Sequence, residues 1–76
     1  IVGGGMVGAT LGCALGGSSL RVAIVEERLP DEVGDDWDLR VSSISIAGSR
    51  IFNALGAWRG MTRRRVSPYR HMRVWD

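Results

Sequence analysis

The chain has 76 residues, of which 11 are glycine, and 10 Lys and Arg against 8 Asp and Glu give a formal charge of +2. That charge is too small to indicate a nucleic-acid partner. The single cysteine, Cys13, excludes an internal disulfide and indicates a reducing compartment. The length is below that of most domains, so we interpret the chain as a fragment of a longer protein, marginally stable alone.

The first pattern along the chain is G-x-G-x-x-G, formed by Gly3, Gly4, Gly5, Met6, Val7 and Gly8. Residues 1–2 predict the end of a strand, and residues 6–17 predict a helix. Gly3 permits a sharp turn, because only glycine enters positive φ without steric cost. Gly5 lets an anion approach the first helical amides, and Gly8 lets the helix pack closely on the strands. The turn predicts a site for the pyrophosphate of a dinucleotide.

A second strand is predicted over residues 21–26, and it ends in an acid, Glu26, eighteen residues after Gly8. A carboxylate there can accept hydrogen bonds from both hydroxyls of an adenosine ribose and would repel a 2′-phosphate. The order strand, turn, helix, strand predicts an α/β fold, namely the N-terminal βαβ unit of a Rossmann-like domain. The dinucleotide expected is therefore FAD or NAD rather than NADP.

A membrane span is the alternative for the first twenty residues, because they carry no charge and have glycine at four-residue spacing. Each glycine costs a helix interior about 1 kcal/mol relative to alanine, and a signal peptide would need a basic start that is absent. The acid-ending strand that follows favours a nucleotide-binding unit. Cys13, inside the apolar helix, is predicted to be a small core residue.

The middle of the chain predicts a polar loop and then a helix. The loop spans residues 27–38 and includes Trp37, either as an anchor or as an exposed side chain. Its later acids are Asp31, Glu32, Asp35, Asp36 and Asp38. A helical pattern begins at Ser42, with Gly56 as its stop signal. The possible N-caps are Ser42, Ser43 and Ser45.

The last third of the chain has weaker signals. Residues 63–65 are three consecutive arginines, and we interpret them as a solvated turn rather than as a contact to an anionic surface. Residues 71–75 alternate as a half-buried strand does. His71 has no second metal-type ligand near it, so a structural or exposed role is favoured over a catalytic one.

Four segments in this order resemble the aromatic-ring hydroxylases of ubiquinone biosynthesis, of the UbiH, UbiF and VisC type. These are FAD monooxygenases related to p-hydroxybenzoate hydroxylase. The segments are residues 1–9 (IVGGGMVGA), 38–42 (DLRVS), 54–58 (ALGAW) and 67–72 (SPYRHM). The glycine pattern is shared by many flavoproteins, whereas the other three segments together are much more specific.

The resemblance implies that residues 1–76 are part of an FAD-binding domain, with the substrate domain outside them. It implies FAD, NAD(P)H as reductant, dioxygen, and a phenolic substrate that carries a prenyl chain. It also implies a cytoplasmic enzyme associated peripherally with the inner membrane or a biosynthetic complex. No catalytic residue or metal site is expected within these residues, so the fragment alone is expected to be inactive.

The resemblance also assigns cofactor contacts. The glycine turn, including Gly4 and the Met6 and Val7 amides, holds the pyrophosphate, and Glu26 holds the ribose. Glu27 lies where the backbone passes the adenine. Arg40 reaches the FAD from the loop, with Arg28 as the alternative. The remaining residues of this set are Gly3, Gly5 and Gly8.

Three other functions stay open from the sequence. An FAD-dependent oxidase or dehydrogenase of amines or amino acids opens with the same glycine pattern. An NAD-dependent dehydrogenase of the Rossmann type is the next alternative. A fragment that binds no cofactor and has only a structural or interaction role is the non-enzymatic one.

Overall fold

The computed structural model describes residues 1–32, 34–36 and 39–76. Within those ranges the chain forms three helices: α1 (Met6–Leu15), α2 (Ile46–Ala54) and α3 (Trp58–Thr62). The predictions that concern Trp37 and Asp38 lie outside the described residues.

Residues at the start of the chain pair in parallel with residues ahead of Glu26. Val2 and Val25 form a parallel bridge. The Ile1 ammonium donates to the Ala23 carbonyl, the Val25 amide to the Ile1 carbonyl and the Gly3 amide to the Val25 carbonyl, each at 2.8 Å. Parallel segments need a crossover connection, and α1 lies between these two. The pairing is a single bridge rather than a strand ladder, so the Rossmann-like βαβ unit stays a prediction.

Helix α1 begins after Gly5 and lies against the second of these paired segments. A Cβ atom built on Gly12 would lie 2.8 Å from Cδ1 of Ile24, which shows how close the helix comes. The helix ends at Leu15, two residues before the predicted end at Gly17. The low helix propensity of the two glycines that follow accounts for the earlier end.

Helix α2 begins and ends at residues that local chemistry favours. Of the three candidate serines, Ser45 is the N-cap, and its hydroxyl accepts a hydrogen bond from the Gly48 amide at 3.1 Å. The helix ends at Ala54 with Leu55 as its C-cap, and Gly56 follows with a φ of 77°. That left-handed conformation is the usual reason for glycine directly after a helix. The short helix α3 was not predicted.

None of the described side chains is buried, so the hydrophobic effect stabilises these residues only weakly. Cys13, predicted as a core residue, is exposed, because no layer covers its face of α1 within the described residues. Residues 71–76 form no regular element, and the strand expected there stays a prediction, since a strand needs a paired neighbour. No helix of the described residues is long and apolar enough to span a membrane.

Candidate functional site: the glycine turn and the start of helix α1

The turn between the first paired segment and α1 has a shape that its glycines permit. Gly3 has a φ of 96°, a conformation that side chains disfavour. Gly8, in the first turn of α1, approaches this turn so closely that a Cβ atom there would lie 1.9 Å from the Gly3 carbonyl oxygen. Glycine at both positions lets the backbone fold back sharply and brings the start of α1 against the first segment.

The N-terminus of α1 is open to an anion. Gly5 is the N-cap, no side chain of the described residues caps the helix, and its first turn contains no acidic residue. The first helical amides, including those of Met6 and Val7, have no intrahelical acceptor, and the helix dipole adds partial positive charge there. Apart from Gly5 and its neighbours in the chain, no atom of the described residues lies within 4 Å of the position that a Cβ atom on Gly5 would take, so a ligand can approach the backbone from that side.

Glu26 lies at the edge of this turn, where the second paired segment ends. Its Oε2 accepts a hydrogen bond from the Gly4 amide at 2.5 Å, and its Oε1 accepts one from the Arg28 amide at 3.3 Å. These bonds lower the pKa of Glu26, chiefly through the Gly4 amide and then through the amides of Arg28 and Glu27, although slight desolvation opposes them. The group is therefore a carboxylate at neutral pH, and its remaining lone pairs can accept hydroxyl donors.

The other predicted cofactor contacts lie further from the turn in sequence. Glu27 follows Glu26 directly and is exposed. The guanidinium of Arg28 pairs with Asp31 at 3.2 Å, and both side chains are largely exposed. Arg40 is exposed in the loop that precedes α2. The structure therefore brings Gly3, Gly4, Gly8 and Glu26 together, and the roles of Glu27 and Arg40 stay predictions.

Sequence reasoning missed one contact. Arg65, treated as part of a solvated turn, donates from both terminal nitrogens to main-chain carbonyls of Gly34 and Asp36. A run of three arginines gives no signal for such a contact, because its acceptors are backbone groups that every sequence has. No group of three or more His, Cys, Asp or Glu residues that could hold a metal ion occurs in the described part of the chain.

The chain is similar over its whole length to part of enzymes that are named as monooxygenases. The zebrafish (Danio rerio) "Ubiquinone biosynthesis monooxygenase COQ6, mitochondrial" is 36% identical over 83 aligned positions, which cover all of this chain and 17% of that protein. The Escherichia coli "3-demethoxyubiquinol 3-hydroxylase" is 36% identical over 78 positions, again over the whole chain and 20% of the relative.

A third relative, the "Ubiquinone hydroxylase UbiL" of Rhodospirillum rubrum, is 37% identical over 76% of this chain and 14% of its own length. The chain is thus homologous to the monooxygenases of ubiquinone biosynthesis, and the resemblance seen in its sequence is confirmed. It spans about a fifth or less of the length of these curated relatives. No protein-family model and no solved structure matches the chain.

Proposed function

We propose that the full-length protein is an FAD-dependent monooxygenase that hydroxylates a phenolic ring in ubiquinone biosynthesis with NAD(P)H and dioxygen. The observation that carries the proposal is the Glu26 carboxylate held at the Gly4 amide, next to an uncapped helix N-terminus. An acid and an anion site so close together suit the ribose and the pyrophosphate of an ADP moiety. The names of the relatives support the reaction class and the pathway.

The residues present fit FAD. The space beside Gly5 admits a phosphate, and the Met6 and Val7 amides would donate to its oxygens. Glu26, already oriented by two backbone donors, would accept from the ribose hydroxyls. Glu27 would lie where the backbone runs beside the adenine, and Arg40 would pair with the pyrophosphate. When bound, a reduced flavin supplies the electrons with which dioxygen hydroxylates the ring.

The substrate, the reductant and the location are further parts of the proposal. We propose that the substrate is a phenolic ring that carries a prenyl chain. We propose NAD(P)H as the electron source and a cytoplasmic enzyme associated peripherally with the inner membrane or with other biosynthetic enzymes. Washing isolated membranes with high salt tests the association. Recovery of the protein only in the detergent-soluble fraction would contradict it, since peripheral proteins wash off.

The cofactor is tested on the purified full-length protein by its visible spectrum and by titration of the apoprotein with FAD. We expect Glu26→Lys to raise the FAD dissociation constant about ten-fold or more, because it removes the ribose acceptor and adds a cation. Glu32→Lys is the matched control, since it makes the same charge change at an exposed acid in the polar loop. A protein without flavin that takes up no FAD would refute the proposal.

The reaction class is tested with isotopically labelled dioxygen. A monooxygenase places one oxygen atom from dioxygen in its hydroxylated product, so label should appear in the ring when NAD(P)H is consumed. Oxidation of an amine with release of unlabelled carbonyl product would instead support the amine oxidase alternative.

Equal FAD affinity of the Glu26→Lys variant and the wild type would show that this acid does not hold the ribose.

A further inference from the structure

The guanidinium of Arg65 joins two parts of the chain that are distant in sequence. Arg65 follows α3, and its Nη1 donates to the main-chain carbonyl of Asp36 at 2.6 Å. Its Nη2 donates to the carbonyl of Gly34, and the two acceptors lie 29 and 31 residues earlier in the chain. A planar guanidinium presents its donors in a fixed fork, so one side chain can make both bonds at once.

This contact restrains the backbone of the polar loop at Gly34 and Asp36. The acceptors are main-chain carbonyls, so the bonds do not depend on the acidic side chains of the loop. The pair between Arg28 and Asp31, by contrast, joins exposed residues only three apart, and such a pair restrains little. Arg65 therefore links Gly34 and Asp36 to the segment after α3, whereas Arg28 restrains the loop only locally, through Asp31.

Arg40 lies only four residues after Asp36 in sequence. At no more than about 3.6 Å per residue, the Cα atom of Arg40 stays within roughly 14 Å of the anchored residue. A loop restrained before binding loses less conformational freedom when its side chain engages a ligand. We propose that Arg65 is a positioning residue that holds this loop so that Arg40 can meet the cofactor pyrophosphate. The inference rests on the proposed function.

A double-mutant cycle on the full-length protein tests this role by FAD titration. We expect Arg65→Ala to raise the FAD dissociation constant about 3- to 10-fold, and Arg65→Lys to restore part of the loss, because lysine lacks the fork. Arg64→Ala is the control, since that side chain makes no hydrogen bond or ion pair with the described residues, and it should change affinity less than about two-fold. In an Arg40→Ala background, adding Arg65→Ala should lower FAD affinity less than about two-fold, because the side chain that Arg65 positions is then absent.

The outcomes separate this role from the proposed function. If the wild type binds FAD and Arg65→Ala binds it equally well, the positioning role is overturned and the proposed function stands. The positioning role is also overturned if Arg65→Ala lowers FAD affinity by the same factor with Arg40→Ala present as without it. Arg65 would then act independently of Arg40. If the wild type takes up no FAD, the proposed function fails, and this role fails with it. Thermal melting of each variant shows whether a loss of affinity reflects unfolding.

Discussion

Replacing Gly8 with alanine tests the close approach between α1 and the turn. The added Cβ atom would lie 1.9 Å from the Gly3 carbonyl oxygen, which is 1.5 Å less than the 3.4 Å at which ordinary contact begins. The acceptor is backbone rather than a flexible side chain, so the helix or the turn must move. Overpacking of this kind costs about 1–3 kcal/mol, and we place Gly8→Ala at the upper end.

Part of that cost is offset, because alanine in a helix is favoured over glycine by about 1 kcal/mol. The net destabilisation expected for Gly8→Ala is therefore about 2 kcal/mol. In a domain of about 150–250 residues this lowers the melting temperature by roughly 4–8 °C. Gly17→Ala is the control, since no described residue other than its chain neighbours lies within 4 Å of its Cβ position and its φ is not positive. Equal melting temperatures for the two variants would refute the close packing.

Gly5→Ala separates packing from ligand approach in the same assay. Its φ of −69° suits alanine, and no described residue beyond its chain neighbours comes within 4 Å of the added group. We therefore expect the melting temperature of the apoprotein to stay near that of the wild type while FAD affinity falls about ten-fold or more. Wild-type FAD affinity in the Gly5→Ala variant would contradict a pyrophosphate at this backbone.

Two further predictions concern Ser45 and Glu26. Ser45→Ala should lower the free energy of unfolding by about 1 kcal/mol in urea titrations, because Ser45 caps α2. Ser43→Ala is the control and should change this free energy little. Equal effects of the two substitutions would contradict the cap. The pKa of Glu26 is lowered in the folded state. Its stabilising contribution is thus complete above the ordinary glutamate pKa and is lost as the pH falls through the lower folded value. The stability difference between the wild type and Glu26→Gln should shrink only below about pH 4, and a loss above pH 5 would contradict this.

The helices and their ends were predictable where local chemistry determines them. Gly56 ends α2 because a left-handed residue is required there, and the sequence pattern indicates that directly. The N-cap was narrowed only to three serines, because all three have the same intrinsic preference. Ser45 is the one whose hydroxyl meets the amide three residues later, that of Gly48, and that depends on where the helix begins. The helix α3 was missed because five residues are too few for a hydrophobic period.

Contacts between distant residues were less predictable. The spacing from Gly8 to Glu26 predicted a carboxylate near the glycine turn, and the structure brings that carboxylate to the Gly4 amide. Nothing in the spacing could predict the Arg65 contacts, because main-chain acceptors have no sequence signature. The exposure of Cys13 could not be predicted either, since burial depends on which layers cover a helix rather than on how apolar it is.

The hydrogen bond between Gly4 and Glu26 has a consequence for how a dinucleotide would bind. It joins the turn to the end of the second paired segment without any ligand, so the acid is oriented before a ribose arrives. Binding would then lose little conformational entropy at this side chain, so its hydrogen bonds to the ribose hydroxyls would contribute more fully to affinity. The Gly4 amide, however, already has an acceptor. On the proposed function, the pyrophosphate must therefore depend on the amides beyond Gly5, where no side chain of the described residues caps the helix.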